Sequence, residues 1–185
     1  MISHFQFLIP HSPLKEVIST MPIELRPAKR EELERVNELR RAVNAVHVQG
    51  RPDIFKPGFC AELAGRVYEQ FESEAFDVIV AVMDGEICGF ATVQYIYKPE
   101  SPFHTPHAYS HVDEFCVDAA CRRRGVGRAL VDYLRADARA RGLARLDLDA
   151  WAFNRDALAF YEAAGFTPYR IYLETDTGLE ETPRN

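Results

Sequence analysis

The stretch of residues 117–130 constrains the fold of this chain more strongly than any other part of the sequence. It passes from an apolar, strand-like end through a basic turn with the sequence RRRGVG, residues 122–127, into the spacing of an amphipathic helix. Such a turn directs several backbone N–H groups to one place, and the helix N-terminus adds about half a positive charge. Because Gly125 and Gly127 lack a Cβ, the backbone can approach phosphate oxygens closely. The stretch therefore predicts a diphosphate-binding site, although a tight turn before a solvated, arginine-rich helix would have the same pattern.

Two other phosphate-binding loops do not fit this stretch. A dinucleotide-binding loop requires a third glycine, and Leu130 occupies that position. The Gly-Lys-Ser/Thr sequence of a nucleoside triphosphate loop is also missing. A dehydrogenase or a nucleoside triphosphatase is therefore disfavoured.

The charge of the chain is unevenly distributed. The 22 basic and 28 acidic residues give a net charge of −6, which is unfavourable for general binding of nucleic acid or of an anionic membrane. Between Arg122 and Arg145, however, eight arginines stand against two aspartates, so this segment carries +6 and the rest of the chain −12. An anionic ligand is expected at this basic segment, and neither a nucleic-acid nor a membrane partner is expected.

Length and composition are those of a single globular domain. The chain has 185 residues, 47% of them hydrophobic, and its apolar stretches are far shorter than the ~20 residues that span a bilayer. Residues 1–20 lack the pattern of a signal peptide and are expected to be a peripheral extension of a domain at residues 21–185. The four cysteines form no Cys-x-x-Cys pair, which favours a reducing cytoplasm. The histidines of residues 104–111 lack the spacing of zinc ligands relative to Cys116, so no metal is expected.

Hydrophobic periodicity predicts a mixed α/β chain. The predicted strands are 23–26, 77–83, 87–97, 109–117, 146–150 and 166–174, and the predicted helices are 29–46, 59–74, 127–141 and 154–164. Asp84-Gly85, between the second and third strands, predicts a type I′ hairpin turn. The order of these elements predicts a single mixed, mostly antiparallel sheet flanked by helices.

A second motif follows the basic turn at a suitable distance. With both motifs the sequence resembles the GCN5-related N-acetyltransferase (GNAT) family, whose acetyl-CoA motif Arg/Gln-x-x-Gly-x-Gly/Ala is matched by residues 122–127. Residues 154–166, with the sequence NRDALAFYEAAGF, resemble the second signature of that family, an Asn before a helix that ends in Tyr-Glu-x-x-Gly-Phe. The resemblance covers about residues 22–174 and implies a GNAT-like acyl-CoA N-acyltransferase fold.

The resemblance also implies a reaction and a set of binding residues. Acetyl-CoA would be the co-substrate, and its acetyl group would pass directly to an amine without a covalent enzyme intermediate. The backbone of Phe115, Cys116 and Val117 would bind the pantetheine and acetyl groups, and Asn154 and Tyr161 would contact the distal arm of the cofactor. The residues that would hold the diphosphate are Arg122, Arg123, Arg124, Gly125, Val126, Gly127, Arg128 and Ala129.

Acetyl transfer to an amine needs a proton donor for the leaving thiolate and a base for the amine. Tyr161 can be the donor because the ordinary pKa of tyrosine, about 10, is near that of an alkyl thiol; the structural alternative is a tyrosine packed in the core. For the base, Glu114 comes first, followed by Asp149 and His111, and deprotonation through water stays open. Strand alternation places Asp113 and Glu114 on opposite faces, so only one of them is expected to face the cleft.

The acceptor site is expected beside the first two predicted helices and the proline-rich loop. Candidate residues for it are His47, Asp53, Phe55, Lys56, Tyr95, His104 and Trp151. The sequence does not identify the amine, which could belong to a small molecule or a protein, and it leaves a homodimer open. A rival interpretation is a non-catalytic acyl-CoA-binding sensor or interaction module, against which the presence of Tyr161 argues.

Overall fold

The computed structural model describes residues 22–178, so the extension expected at residues 1–20 lies outside the described part. The strands are β1 Glu24–Pro27, β2 Phe76–Met83, β3 Glu86–Lys98, β4 His107–Val117 and β5 Leu146–Leu148. The helices are α1 Leu33–Gly50, α2 Ala61–Glu72, α3 Val126–Ala140 and α4 Arg155–Ala163. The strands form one sheet in the order β1-β2-β3-β4-β5, antiparallel except for the parallel pair β4 and β5. The predicted single mixed, mostly antiparallel sheet is confirmed.

Strand β2 has helices on both of its faces, which explains its continuous apolar sequence. Val78 and Val80 pack on the face covered by α1 and α2, and Ile79 and Ala81 pack on the face covered by α3. All four side chains are buried. Because both faces of this strand are covered, its sequence does not alternate between apolar and polar residues.

Helix α3 is held to the sheet by one apolar face. Val126, Leu130, Leu134 and Ala138 follow one another at four-residue spacing, and all are buried. Full burial of a leucine side chain contributes about 1.5–3 kcal/mol. This face therefore determines where α3 begins, and the basic turn lies directly before it.

The turn between β2 and β3 is as predicted. Asp84 has φ 57° and Gly85 has φ 81°, and a type I′ turn requires positive φ at both central residues. The local sequence alone is sufficient to specify this hairpin.

The closing strand predicted at residues 166–174 is wrong. Residues 167–178 contain no strand, and the side chains of Ile171 and Leu173 are 75% and 91% exposed. Such a strand would need β5 as its neighbour, but β5 has three residues and ends at Leu148 rather than at Ala150. So short a strand offers few backbone groups for pairing. The apolar composition of residues 166–174 indicated a strand, but it contains no information on the length of β5, the strand with which this segment would have to pair.

Candidate active site

A cleft opens where β4 and β5 separate. Residues 110–112 of β4 pair with residues 146–148 of β5, after which β5 ends while β4 continues to Val117. On its other side β4 pairs with β3, and there Asp113 is skipped, which makes it the extra residue of a β-bulge. Beyond the bulge, one edge of β4 has no neighbouring strand within the described part of the chain.

The open edge of β4 presents backbone groups to the cleft. The N–H groups of Glu114 and Asp118 donate to β3, to a threonine hydroxyl at 3.1 Å and a carbonyl at 2.8 Å respectively. Because backbone groups alternate along a strand, those of Phe115 and Val117 point away from β3, at the open edge, whereas those of Cys116 point toward β3. Within the described residues, the N–H and C=O groups of Phe115 and Val117 therefore have no partner strand at the open edge.

The bulge overturns the expectation that Asp113 and Glu114 lie on opposite faces. Glu114 accepts two hydrogen bonds from Arg40 on α1, at 2.7 and 2.8 Å. Asp113 accepts one from Gln70 on α2, at 2.7 Å. Both carboxylates therefore face the α1 and α2 layer, because the extra residue shifts the alternation of the strand by one position.

Arg40 is a functional candidate that sequence reasoning missed. Its side chain is 3% exposed and pairs with the 19% exposed side chain of Glu114. It also donates to Asn37 Oδ1 at 2.9 Å and to the Leu63 carbonyl at 2.7 Å. A signal was present, since Arg40 stands four residues after Val36 on the buried face of α1, where a charged residue needs a partner.

The candidates for the base lie in different surroundings. Glu114 and Asp149 both line the cleft, and Asp149 is exposed. His111 is not among the described residues that line it, and its Nδ1 lies 2.8 Å from Asp147 Oδ1 at the β4–β5 junction. Asp147 also accepts a hydrogen bond from Tyr169 at 2.9 Å.

Tyr161 of α4 lines the same cleft. Its ring packs edge-on against Phe115 and Phe166, with centroids 6.1 and 5.7 Å apart. Its hydroxyl has no hydrogen-bond partner among residues 22–178. Burial, aided by the nearby Cys116, raises the pKa of Tyr161 to about 12, and burial raises the pKa of the Cys116 thiol to about 11. Both groups therefore keep their protons at neutral pH.

Among residues 22–178, no side chain caps the N-terminus of α3. Gly125 is its N-cap with φ 87° and provides no side chain, so the first N–H groups of the helix lack partners within it. A Cβ on Gly127 would lie 3.0 Å from the Phe160 ring, so glycine lets α4 approach closely. Arg122 and Arg123 are exposed and form no ion pair with any residue that the structure describes. These groups together can hold an anion.

Other residues of the two motifs have structural contacts. Arg124 lies 3.8 Å from Asp84, and the Arg128 guanidinium donates to the Ala163 carbonyl at the end of α4, at 2.6 Å. Asn154 Oδ1 accepts from an α4 N–H at 3.2 Å and caps that helix. The Val126 side chain is buried, and the N–H of Ala129 donates to the Gly125 carbonyl at 3.0 Å.

The cleft has a volume of about 320 Å³ and is walled by α1, α2, β4 and α4. Three of the acceptor candidates, His47, Phe55 and Trp151, line it. Tyr95 is buried on the α3 face of the sheet, where its hydroxyl donates to Asp77 or Asp137. Like Tyr95, the candidates Asp53, Lys56 and His104 are absent from the described lining.

Within residues 22–178, no three His, Cys, Asp or Glu side chains lie together as a metal site would require. Over the same residues, no helix has the length and apolar character needed to cross a membrane.

Comparison with known proteins identifies relatives of this chain. Residues 49–166 match the model of the acetyltransferase (GNAT) family. The ribosomal protein bS18 alanine N-acetyltransferase of Escherichia coli (strain K12) is 27% identical over 140 residues, which are 74% of this chain and 84% of that protein.

Solved structures show the same fold. The tetramutant of the BH1408 protein from Bacillus halodurans has a TM-score of 0.79 at 24% identity, and the match covers 83% of this chain and 99% of that one. The aminoglycoside N-acetyltransferase AAC(6')-Iy in complex with CoA has a TM-score of 0.64 at 17% identity, covering 92% and 99% of the two chains. Since the family model spans well over half of its 185 residues, the chain belongs to the GNAT family of acetyltransferases.

Proposed function

We propose that the protein transfers the acetyl group of acetyl-CoA directly to the primary amine of a small molecule or a protein. The observation that carries this proposal is a cleft lined by the open edge of β4 and by Tyr161. The N-terminus of α3 lies beside it, where Gly127 comes close to Phe160 of α4 and to Val117 at the end of β4. Relatives named as alanine and aminoglycoside N-acetyltransferases support an amine as acceptor.

The residues present fit an acyl-CoA. Acetyl-CoA, when bound, supplies a thioester whose carbonyl carbon an amine can attack. Phe115 and Val117 offer backbone groups to an extended ligand, as an added strand would receive them. The N–H groups at the start of α3, with Arg122 and Arg123, suit a diphosphate.

Tyr161 gives its proton to the departing thiolate. Its pKa of about 12 lies near that of the Cys116 thiol, about 11, which shares the same dry surroundings. Burial that raises the pKa of one thiol should raise that of a CoA thiolate in the same place, so the donor and acceptor of the proton stay matched. Because Cys116 remains a protonated thiol, it is a poor nucleophile, which favours direct transfer over an acyl-enzyme.

The proton of the amine must leave before attack. Asp113, Glu114 and Asp149 are the carboxylates that line the cleft, and Asp113 accepts a hydrogen bond from Gln70. Glu114 is held by Arg40 through two hydrogen bonds, so a water molecule between Glu114 and the amine would have to relay the proton.

Purified protein tests the proposal in two steps. Acetyl-CoA should raise the melting temperature, because a ligand that binds only the native state stabilises it, and pantetheine without the diphosphate should raise it far less. Release of CoA thiol is then measured with a panel of amines that includes a peptide with N-terminal alanine and an aminoglycoside. Absence of any acetyl-CoA binding would refute the proposal, and tight binding without turnover of any amine would favour the rival acyl-CoA sensor.

The state of the cysteines bears on the compartment of the protein. Cys60, Cys88, Cys116 and Cys121 are all free, which supports the reducing cytoplasm as the compartment.

The exposed apolar side chains at residues 171–173 support a homodimer, in which a second copy would cover them. Light scattering after size-exclusion chromatography measures the assembly, and a monomeric mass at all concentrations would exclude the dimer.

A further inference from the structure

His47 lies in the last turns of α1 and lines the cleft together with Glu114 and Tyr161. Its ring stacks on Phe55 with centroids 4.9 Å apart and an angle of 24°, and Phe55 meets Trp151 edge-on at 5.4 Å. Within residues 22–178 neither ring nitrogen has a hydrogen-bond partner, and neither is closed off from solvent. The stack thus orients an imidazole whose lone pair is available to a molecule in the cleft.

The other candidates for the base are less available than His47. Both carboxylate oxygens of Glu114 accept hydrogen bonds from Arg40. His111 is bonded to Asp147 and does not line the cleft, and Asp149 is exposed to solvent. His47 combines a place in the cleft with a free acceptor nitrogen.

The surroundings of His47 favour its neutral form. Burial lowers the pKa of His47 below its usual value, and the charge of Glu114 opposes this effect in part. The charged and titratable groups that share the cleft with it are Arg40 on α1, Arg66 on α2, Asp113 and Glu114 on β4, Asp149 after β5 and Tyr161 on α4. At neutral pH the imidazole therefore carries a lone pair rather than a second proton.

We propose that His47 accepts the proton of the acceptor ammonium group, an assignment that rests on the acetyl transfer proposed above. The ammonium group gives one proton to the imidazole, and the amine nitrogen then forms a bond to the thioester carbonyl carbon. The C–S bond breaks as Tyr161 gives its proton to sulfur, and the second proton leaving the nitrogen restores the Tyr161 hydroxyl. The imidazolium returns its proton to solvent, so the products are the amide, the CoA thiol and one proton.

The test compares His47→Gln with a matched control, His107→Gln. Glutamine preserves hydrogen bonding and approximate size but takes up no proton, and His107 is an exposed histidine that does not line the cleft. With acetyl-CoA and an amine that the wild type acetylates, His47→Gln should lower kcat/KM at pH 7 by roughly 100-fold or more. Acetyl-CoA affinity should stay unchanged in both variants, and His107→Gln should keep wild-type turnover.

The pH profile distinguishes a base from a structural role. The rate of His47→Gln should rise with pH as the free amine forms in solution, and it should approach the wild-type rate at high pH. A variant that binds acetyl-CoA and keeps the wild-type rate and profile would overturn the assignment. Wild-type protein that turns over no amine would instead refute the proposed function.

A second measurement does not depend on turnover or on a folded variant. NMR titration of the histidine rings of the wild-type protein should give His47 a midpoint below 6.5, the ordinary value. The His47 signal can be assigned by its contacts with the Phe55 ring. A midpoint well above neutral pH would overturn the assignment, because the imidazole would then already carry a second proton at pH 7 and could not accept one from the ammonium group.

Discussion

Glu114→Gln should destabilise the protein because it breaks a buried ion pair. The Arg40 side chain is 3% exposed, and the carboxylate of Glu114 is its charged partner. Glutamine keeps the shape of the side chain but removes the negative charge and one of the two acceptor oxygens. The guanidinium of Arg40 would then remain in the interior without its counterion.

The size of the effect follows from the contacts that remain. Removing one partner of a buried ion pair costs about 3–5 kcal/mol. Arg40 keeps its hydrogen bonds to Asn37 and Leu63, and Glu114 is 19% exposed, so the low end of about 3 kcal/mol is expected. In a domain of this size 1 kcal/mol shifts the melting temperature by about 2–4 °C, so the expected loss is about 6–12 °C.

Thermal unfolding followed by circular dichroism at pH 7 measures this loss. Glu34→Gln is the matched control, because Glu34 pairs with Arg41 on the same helix but both side chains are about half exposed, at 61% and 46%. That control should change stability by less than about 1 kcal/mol. If Glu114→Gln melts within about 2 °C of the wild type, the argument that Arg40 depends on this carboxylate is refuted.

Three further predictions concern the donor, the basic turn and a second ion pair. Tyr161→Phe should lower kcat by roughly 100-fold or more while calorimetry shows little change in acetyl-CoA affinity, since the proton matters only as the thioester breaks; equal turnover would remove Tyr161 from the reaction. The double substitution Arg122→Glu with Arg123→Glu should weaken acetyl-CoA binding by about tenfold or more. Arg139→Glu, at the far end of α3, should leave it unchanged. If the double variant and the wild type have equal dissociation constants for acetyl-CoA, the turn has only a structural role. Hydrogen bonds from Arg26 hold the pKa of Glu32 at about 2, against 4.5 for the free group, so Glu32→Gln should cost about 1–3 kcal/mol at pH 7. Because a depressed carboxyl pKa stabilises the fold above the unfolded value, this difference should shrink as pH falls from 4.5 toward 2 in acid unfolding experiments, and a constant difference would contradict it.

The parts of the fold that depend on neighbouring residues were predictable from the sequence. The four-residue spacing of apolar side chains located α3, and the Asp84-Gly85 pair located the hairpin turn. The basic turn and Tyr161 were assigned to one site only through the resemblance, since no local pattern brings α4 to the end of β4.

The parts that depend on distant pairing were not predictable. The bulge at Asp113 exists because β3 and β4 pair in a particular register, and that register leaves no mark within β4 itself. Arg40 meets Glu114 across 74 positions of sequence. The proton-accepting site proposed at His47 likewise needs α1, the α1–α2 loop and β4 to be placed together before it can be recognised.

Because of the bulge, the number of residues in β4 determines which side chains face each layer, and a substitution does not change that number. Before Asp113, even-numbered side chains such as Val112 face α3, and after it odd-numbered ones such as Phe115 do. Deleting this one residue would move every later side chain of β4 to the opposite face of the sheet. Glu114 would then point into the apolar layer beneath α3, and Phe115 would point away from it. A carboxylate so placed would lose Arg40 and gain no partner. Variants of this enzyme can therefore exchange side chains at the cleft far more readily than they can lose a single position of β4.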